Sequence, residues 1–518
     1  MFFKQWMHNF ANPGIKWGGS YVLRRMNQEH IPLFNFASQF FEIPVNGTVL
    51  DVGCGGGHHL SMLRKKCHSA LIYGIDISEL SVKASIAYNK EAVNMGLAKI
   101  VQGDVCELPF SDNWFDLVTA SETVYFWPDV QKGFEEIYRV LKPGGIVAIY
   151  CDSCDPVAEK RHTDLIPGMH VYTSEELQSC AQQSKFLNIK INLSEDGKIC
   201  LTAQKEGSFR KIPFFYMGNP YNTLAALWAR TLEARQPVPI LEDQNALDVV
   251  SNINYDFSYF ADLGIDQVGL AVRDYLIDRM LKNFLEKNQD VTIINLAPGL
   301  DTRLHRIPEN TYKKWIDIDV PLNLDLRRAF FSQADKLEVI AKSITDFSWI
   351  DNISKANEPK VIIAQDLFAY IELDTIKTFL TKLAHKFASI DVIFDLPSAE
   401  EMKENHSMTL PPAVVKKKPN ARPSKKIEIT ESAQRPRILW TLQNVFEVQK
   451  WCKAIRVVEE RNLFDYDKKR WGWRGFIARL PSNRARMSHN VVQIRLKREL
   501  LIDEKDRKVR KSGIETDI

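Results

Sequence analysis

The stretch VLDVGCGGG, Val49 to Gly57, constrains the fold more than any other part of the sequence. An apolar run that ends in an acid and continues into closely spaced glycines predicts a buried parallel strand and a tight turn into a helix. Glycine suits such a turn because a side chain would stop the backbone from closing on a ligand, and because some turn positions require a positive φ. Asp76 ends a second apolar strand, at the distance of an acid that hydrogen-bonds a ribose hydroxyl. This half of the chain therefore predicts a nucleotide-type site.

The second half of the chain repeats this arrangement. VTIINLAPGLDTR, residues 291–303, is again an apolar strand followed by a turn and a helix, and WIDIDVP brings in a second acid. Asp319 follows Gly299 by 319 − 299 = 20 residues, and Asp76 follows Gly57 by 76 − 57 = 19. Two units of strand, loop, helix, strand and acid predict two domains of one class.

Strands and helices alternate in both halves, which predicts right-handed parallel sheets with ligands at the carboxyl ends of the strands. Crossover helices are predicted over His58 to Lys66 and over Ser78 to Met95. The strands FLNIKINLS and KICLTAQK, joined by a Glu-Asp-Gly turn, predict an antiparallel hairpin at the end of the first sheet. The predicted fold class is α/β: two tandem Rossmann-like domains, each a doubly wound, mostly parallel sheet with a terminal antiparallel hairpin.

At 518 residues, the chain is too long for one ordinary core. The predicted boundaries follow shifts in composition. One domain covers 1–206, a glycine- and proline-containing linker covers 207–220, and a second domain covers 221–498. Lysine and proline enrichment predicts a mobile insertion at 399–437, and mixed charges predict a tail at 499–518.

Composition narrows the class of partner. Lys plus Arg minus Asp plus Glu is 68 − 65 = +3, so the whole chain has no global attraction for nucleic acid or membrane, and neither is expected as a partner. No apolar run approaches the length of a membrane span, and no signal peptide is predicted. Eight cysteines scattered over the chain fit a reducing cytoplasm. Cys151 and Cys154 form a C-x-x-C pair without further ligands at zinc spacing, so no metal is expected.

Residues 45–205 resemble class I S-adenosylmethionine-dependent methyltransferases of the small-molecule type. The matching pieces, in order, are DVGCGGG, GIDIS, QGDVCELPF, FDLV and EEIYRVLKPGG. The resemblance implies that S-adenosyl-L-methionine is the cofactor, that Asp76 holds its ribose hydroxyls, and that Asp104 with Val105 flanks the adenine. It also implies cofactor contacts by Asp51, Gly53, Gly55, Gly57 and Ile77. Asp104 can accept a hydrogen bond from an exocyclic amine, and Val105 offers apolar surface to the ring.

Methyl transfer from a sulfonium is a direct displacement, so a base is needed only where the acceptor carries a proton at neutral pH. By their places after the fourth and fifth strands, the candidate catalytic residues are Glu122, Tyr125 and His170, with Tyr172 beside them. No residue of this set stands out from the sequence, and the acceptor cannot be identified from it.

Residues 221–498 resemble the leucine carboxyl methyltransferase family, in its polyketide O-methyltransferase branch. The matching pieces include ALWARTLEARQPVPILEDQNAL, QVGLAVRDYLIDR, NLAPGLDTR, WIDIDVP and IFDLPS. The resemblance implies that Arg273 binds the cofactor carboxylate, Asp319 the ribose and Asp346 the adenine side, with further contacts by Gly299 and Gln365. A carboxylate acceptor would need no general base, because it is already a nucleophile at pH 7.

Two departures from this family pattern leave the role of the second half open. Ala297-Pro298 stands where the family has a glycine-containing turn, and proline removes one backbone N–H. Gln365-Asp366 stands where the family has Glu-Gly, so an expected acid is missing. The sequence therefore supports a bifunctional enzyme that methylates a small molecule at two groups, or an active first domain with a non-catalytic binding module. Methylation of a protein carboxylate is a third, weaker hypothesis.

Overall fold

A computed structural model describes residues 31–44, 47–67, 70–207, 212–213, 220–257, 260, 266–331, 334–353, 358–407, 437–487 and 489–500. The linker predicted at 207–220, the insertion at 399–437 and the tail at 499–518 lie largely outside these residues. The chain divides into two compact units. The first comprises Met1–Pro213, Thr231–Pro239 and Leu247–Ile265, and the second Phe214–Arg230, Ile240–Ala246 and Asp266–Ile518.

The first unit is built around one seven-stranded sheet with the order β3-β2-β1-β4-β5-β7-β6. Its strands are β1 (Thr48–Val52), β2 (Leu71–Asp76), β3 (Ala98–Gln102), β4 (Phe115–Ser121), β5 (Leu141–Cys151), β6 (Leu187–Leu193) and β7 (Ile199–Gln204). β1 to β5 pair in parallel, and β7 pairs antiparallel with both β5 and β6. β8 (Ile212–Pro213) and β9 (Ile253–Asn254) form a separate short ladder.

The helices of the first unit cover the sheet. They are α1 (Ile31–Ala37), α2 (His58–Lys66), α3 (Glu79–Tyr88), α4 (Lys90–Asn94), α5 (Val130–Val140), α6 (Lys160–Leu165) and α7 (Ser174–Gln183). α5 begins where the Asp129 carboxylate accepts the N–H of Lys132, and its buried face carries Phe134, Ile137 and Val140. This amphipathic pattern fixes which side of the helix packs on the sheet.

One predicted helix is divided in two. The span Ser78 to Met95 forms α3 and α4, which meet at Asn89. The Asn89 side-chain amide donates to the carbonyl of Gly57 at 2.8 Å and to that of Ser85 at 3.0 Å. The interruption therefore fastens the helix to the glycine turn, a contact between distant positions that helical periodicity does not reveal.

The second unit repeats the strand order as β12-β11-β10-β13-β14-β16-β15. Its strands are β10 (Thr292–Leu296), β11 (Lys314–Asp319), β12 (Leu337–Ala341), β13 (Lys360–Ala364), β14 (Ser389–Leu396), β15 (Ile455–Asn462) and β16 (Asn490–Lys497). β10 to β14 are parallel, and β16 pairs antiparallel with β14 and β15. Every residue of β10 and β13 is buried, as expected for parallel strands covered on both faces. The α/β fold class predicted from the sequence is confirmed.

The remaining helices follow in chain order. They are α8 (Pro220–Ala234), α9 (Gln244–Asn252), α10 (Gln267–Lys287), α11 (Arg303–Arg306), α12 (Pro321–Phe330), α13 (Trp349–Asn352), α14 (Leu373–Lys386), α15 (Ala399–Ser407), α16 (Gly472–Ile477) and α17 (Pro481–Met487). The Asp266 carboxylate caps α10 by accepting the N–H of Gly269 at 2.9 Å. α2 follows β1 and α11 follows β10, which are the first strands of their sheets in chain order. Both helices therefore begin at the carboxyl edge of a sheet.

Candidate functional site

The glycine turn after β1 has two kinds of glycine. Gly53, Gly55 and Gly57 all have positive φ, at 70°, 50° and 83°. A Cβ on Gly53 would lie 2.3 Å from the Thr123 side chain, and one on Gly57 would lie 2.5 Å from Ser85 Oγ. A Cβ on Gly55 would meet no atom of the described residues within 4 Å. Packing inside the protein therefore excludes side chains at two positions, whereas Gly55 borders open space.

Asp76 is held at the end of β2 by two backbone N–H groups. Oδ2 accepts from Gly55 at 2.9 Å, and Oδ1 accepts from Ser78 at 2.9 Å. Burial raises the pKa of Asp76, and these two N–H groups offset part of the rise. Each carboxylate oxygen has two lone pairs, so the group can accept further hydrogen bonds from a ligand hydroxyl. The next residue, Ile77, is an exposed apolar side chain at the same edge, with 49% of its surface accessible.

The second unit contains the same acid-to-turn contact. Asp319 Oδ2 accepts the N–H of Gly299 at 3.1 Å, and Oδ1 accepts from Val320 N–H and Asn323 Nδ2 at 2.8 and 2.9 Å. Gly299 has a φ of 49°, close to the 50° of Gly55. Burial raises the pKa of Asp319, with the N–H groups of Val320 and Gly299 acting in the opposite direction.

The Ala297-Pro298 departure leaves this contact intact. Ala297 adopts φ 48° and donates its N–H to the Ile318 carbonyl at 2.8 Å, as Gly53 does to Ile75 at 2.8 Å. In the first unit the residue after Gly53 is Cys54, whose N–H also donates to Ile75. Proline at the corresponding place therefore removes one bond between the turn and the neighbouring strand, and the N–H of Gly299 remains available to Asp319.

The two acids predicted on the adenine side occupy matching turns. Asp104, after β3, accepts the N–H of Cys106 at 2.8 Å, and Asp346, after β12, accepts the N–H of Ser348 at 3.0 Å. Val105 is buried. Asp104 is partly buried and Asp346 exposed, and the roles of both as adenine contacts stay predictions.

Two of the candidate catalytic residues lie together directly after β4. The Tyr125 hydroxyl lies 3.3 Å from Glu122 Oε1 and 3.1 Å from the Ser153 carbonyl, so its single proton can be donated to either oxygen. Burial, helped by the carboxylate of Asp152, raises the pKa of Glu122 to about 8. Burial also raises the pKa of Tyr125 far above its ordinary range, so the phenol stays protonated. Thr123, between them, donates to the Val52 carbonyl at 3.2 Å, which holds this segment against the glycine turn.

His170 is less closely tied to this pair. Its backbone N–H donates to the Tyr125 carbonyl at 2.9 Å, and its exposed ring lies 4.4 Å from the ring of Tyr172. Within the described residues, no hydrogen bond joins the imidazole to Glu122. His170 stays a candidate through its backbone position alone.

A buried relay behind the glycine turn was missed by sequence reasoning. Asp51 Oδ1 contacts His59 Nδ1 at 2.8 Å and accepts from Thr119 Oγ1 at 2.9 Å. His59 Nε2 hydrogen-bonds the hydroxyl of Tyr150, which is fully buried. Asp51, predicted as a cofactor contact, thus uses one of its oxygens to fix the first turn of α2. A spacing of eight residues across a glycine turn was the available signal, because the turn folds that helix back over the strand.

Arg273, predicted to bind a carboxylate, is buried with spare donors. Its Nη1 lies 3.5 Å from carboxylate oxygens of Asp366 and Asp395. Within the described part of the chain, its Nε and Nη2 have no hydrogen-bond partner. Although burial alone would lower it, the pKa of Arg273 is raised by the carboxylates of Asp366, Asp395 and Asp274, so the guanidinium stays charged. Buried N–H donors without partners are costly, and an anionic ligand would satisfy them.

Gln365 makes its contacts inside the protein. Its Oε1 accepts from Arg303 Nη2 at 2.6 Å, and its amide nitrogen donates to Asp274. The following residue, Asp366, has a φ of 53°, as Glu122 has 59° after the corresponding strand of the first unit. The acid missing at position 365 is therefore accompanied by a carboxylate one residue later, beside Arg273. A cofactor contact by Gln365 stays a prediction.

A second cluster that the sequence did not reveal contacts Asp395, the carboxylate beside Arg273. His489 Nε2 lies 3.2 Å from Asp395 Oδ2, and its Nδ1 lies 2.9 Å from Glu401 Oε2. Burial alone would lower it, but Glu401 and Asp395 raise the pKa of His489 to about 10. No local pattern marks this group, because His489 is 489 − 395 = 94 residues from Asp395.

The described residues contain neither a metal-binding cluster nor a membrane-spanning helix. No group of three or more His, Cys, Asp or Glu side chains could hold a metal ion in the part of the chain that the structure describes. Nor does any helix within those residues combine the length and apolarity needed to cross a membrane.

Family comparisons match the two halves separately. Residues 50–149 match the methyltransferase domain family, and residues 223–384 match the leucine carboxyl methyltransferase family. Each half is methyltransferase-like. Both resemblances drawn from the sequence are confirmed, and we refer below to the first and second methyltransferase-like domains.

Individual relatives cover only parts of the chain. The tetracenomycin polyketide synthesis O-methyltransferase of Streptomyces glaucescens is 31% identical over 172 residues, 33% of this chain and 63% of that protein. Sterol methyltransferase-like 2 of Botryococcus braunii is 39% identical over 122 residues, 23% of this chain and 31% of that protein. The sterol 24-C-methyltransferase of Gibberella zeae is 37% identical over 147 residues, 28% and 37% respectively. The chain thus spans less than two thirds of each of these relatives.

Two solved structures align with part of this chain. A SAM-dependent methyltransferase from Aquifex aeolicus is 21% identical, with a TM-score of 0.31 over 36% of this chain and 97% of that chain. Geranyl diphosphate C-methyltransferase from Streptomyces coelicolor, solved with S-adenosyl-L-homocysteine, is 13% identical, with a TM-score of 0.29 over 33% and 74%.

Proposed function

We propose that this chain is a bifunctional S-adenosylmethionine-dependent methyltransferase that acts on a small molecule, with carboxyl O-methylation by the second domain. The observation that carries the proposal is the repeated contact between an acid and a turn. Gly55 N–H binds Asp76 at 2.9 Å, and Gly299 N–H binds Asp319 at 3.1 Å, each at the carboxyl edge of a sheet with the same strand order. A domain kept only for packing would have no need to preserve this contact.

The residues present fit the cofactor in both domains. Asp76 and Asp319 would accept the ribose hydroxyls, because the hydrogen bonds within the described residues leave each carboxylate with acceptor capacity. Gly55 would lie against the methionine part, since a side chain there would project into open space. In the second domain the unpartnered Nε and Nη2 of Arg273 would hold the cofactor carboxylate.

The other cofactor contacts predicted from the sequence complete these two proposed sites. In the first domain they are Asp51, Gly53, Gly57, Ile77, Asp104 and Val105, and in the second they are Gly299, Asp346 and Gln365. Among them, Ile77 offers exposed apolar surface that the adenine ring of the cofactor could cover.

S-adenosylmethionine supplies an electrophilic methyl group on a sulfonium. The first domain must then align the acceptor and remove any proton that the acceptor releases. Glu122 is the best-placed base, since a pKa of about 8 is close to neutral pH and Tyr125 orients the carboxyl group. Tyr125 itself stays protonated and acts as a donor. His170 lies at the rim of the same segment.

The second domain does not require a catalytic base for the reaction proposed here. A carboxylate acceptor is ionised at neutral pH and needs no base, so orientation and charge are sufficient. The match to the leucine carboxyl methyltransferase family and the Streptomyces polyketide relative support this acceptor class. The sterol methyltransferases among the relatives support an apolar small molecule as the acceptor of one of the domains.

Methyl transfer from labelled cofactor tests the proposal. The full chain, Asp76→Ala and Asp319→Ala are each incubated with panels of carboxylic acids, phenols and sterols. We expect carboxyl methylation to disappear with Asp319→Ala alone and the other activity with Asp76→Ala alone. If carboxyl methylation never occurs, or if it survives Asp319→Ala, the second domain is a non-catalytic binding module. Label incorporated into added cell protein would favour a protein acceptor instead.

A further inference from the structure

The segment between β15 and β16 leaves the sheet at the edge where the proposed sites lie. Asn462, the last residue of β15, pairs with Asn490, the first residue of β16, and Asn490 also pairs with Leu396, the last residue of β14. Residues 463–489 therefore project from the carboxyl ends of the parallel strands. This segment contains α16 and α17.

The inner face of this segment packs on its own unit. Trp471 and Ala478 are buried, and the Trp471 ring packs against Phe464 at a tilt of 50°, with ring centroids 4.5 Å apart. The Trp471 indole N–H donates to the Tyr466 carbonyl at 2.7 Å. Helical contacts continue beyond α16, since the Ala478 N–H donates to the Arg474 carbonyl at 2.9 Å. The segment is thus anchored and holds its outer face in place.

The outer face carries three large apolar side chains. Trp473, Phe476 and Leu480 are 72%, 69% and 56% exposed. Their spacing of three and four residues puts them on one side of a helical segment. A single exposed apolar residue needs no explanation, but a group of an indole, a phenyl ring and a leucine indicates a surface that is covered in use. We call these three residues the apolar patch.

The surroundings of the apolar patch are cationic. Residues 468–486 contain seven basic residues and no acidic one, in a chain whose overall charge is only +3. Three of these cations have acidic neighbours, at 3.0 Å for Arg474, 2.7 Å for Arg484 and 4.0 Å for Arg486. Lys468 and Arg479 have no ion pair with any residue that the structure describes.

A cavity beside the apolar patch is lined by three of these seven basic residues. It has a volume of about 210 Å³ and is lined by Phe464, Asp465, Lys468, Gly475, Ala478, Arg479 and Arg484. Three cations and one carboxylate give it a positive lining, which suits a phosphate group. The apolar patch and the cationic cavity are therefore two independent observations on one surface.

We propose that residues 468–486 form a docking surface for membranes that carry anionic phospholipid. Trp473, Phe476 and Leu480 would enter the interface between headgroups and acyl chains, and the surrounding lysines and arginines would contact the lipid phosphates. Indole and phenyl rings next to lysine and arginine are the composition that interfacial elements use. Charge favours this occupant over a second copy of the chain, because two copies would bring the same cationic rims together.

The proposal differs from the expectation, drawn from the overall charge of +3, that no membrane is among the partners of this chain. Whole-chain charge averages over both units and hides a local cluster of seven cations. The proposal concerns binding and does not depend on the methyltransferase activity proposed above, so each can fail alone.

Vesicle co-sedimentation of the full chain tests this docking surface. Phosphatidylcholine vesicles with and without phosphatidylglycerol are compared, using wild type, Trp473→Ala/Phe476→Ala and Lys468→Gln/Lys469→Gln. We expect binding to vesicles with phosphatidylglycerol, weakened about tenfold or more by the aromatic double variant and about thirtyfold by the lysine variant, which removes two cations. The matched control is Phe446→Ala, an aromatic residue of the same unit that is 54% exposed and outside the patch; it should bind like wild type.

Several outcomes would overturn the proposal. They are no binding to phosphatidylglycerol vesicles, equal binding to phosphatidylcholine alone, and unchanged binding by the aromatic double variant. A dimer in light scattering that separates when Trp473 and Phe476 are removed would assign the patch to a second copy of the chain. Because these side chains point away from the core, the variants should melt like wild type. The lysine variant provides a second, conservative readout if the aromatic variant does not fold.

Discussion

Gly55 offers a substitution that separates ligand binding from folding. In Gly55→Ala the new Cβ meets no atom within 4 Å among the residues that the structure describes, so we expect the cost to folding to come from the φ of +50°. An alanine in this left-handed conformation costs about 1–2 kcal/mol. For a domain of this size that is a fall in melting temperature of roughly 2–8 °C. The same methyl group would occupy the space into which we place the methionine part of the cofactor.

The matched control is Gly197→Ala, in the hairpin turn between β6 and β7. Gly197 has a φ of +93°, and a Cβ there would have one contact, at 4.0 Å with the Asp152 carbonyl. Both variants should therefore lose similar stability. Calorimetric titration with S-adenosylhomocysteine, in an Asp319→Ala background that leaves only the first site, should show binding about tenfold weaker or worse for Gly55→Ala. That loss corresponds to about 1.4 kcal/mol.

Two results would refute this reasoning. If Gly55→Ala binds S-adenosylhomocysteine like wild type, the open space beside this glycine is not the cofactor site. If Gly197→Ala loses binding equally, the loss reflects strain in the whole domain and reports nothing about the ligand.

Three further predictions concern charged groups. The pKa of Glu122 is raised from 4.5 to about 8, so between these pH values the folded chain holds a proton that the unfolded chain releases. The free energy of unfolding should therefore fall as the pH rises from 4.5 to about 8. Denaturant titrations of Glu122→Gln should lack this part of the pH dependence. Arg273→Lys keeps the charge near Asp395 but loses the spare N–H donors, and should weaken cofactor binding at the second site about tenfold while the first site is unchanged in calorimetry. The raised pKa of His489 adds stability that is complete below pH 6.5 and lost as pH rises through about 10, and His489→Asn should flatten that decline in melts over this range.

The repeat of strand, turn and acid was visible in the sequence because it is local. Asp76 and Asp319 each follow a glycine turn at a fixed spacing, and this spacing reflects the length of one helix and one strand. The parallel sheets and the terminal hairpin were predicted for the same reason. The fold class was therefore accessible without any structure.

What the sequence did not reveal depends on contacts between distant positions. Asn89 divides a helix because its amide meets Gly57, and His489 is charged because Glu401 lies beside it. The consequence of Pro298 also needed coordinates, since only the geometry identifies which N–H is missing. The basic residues around Trp473 are close together in the sequence and depend on no distant contact. They were missed because the net charge of the whole chain carries no information about where the charges lie.

Calorimetric titration of the intact chain with S-adenosylhomocysteine, repeated on Asp76→Ala and on Asp319→Ala, tests the central claim most directly. Two cofactor sites in one chain predict a stoichiometry of about two, with each substitution removing one site and leaving the other. A single site that disappears only with Asp76→Ala would contradict the account and leave the second domain without a cofactor.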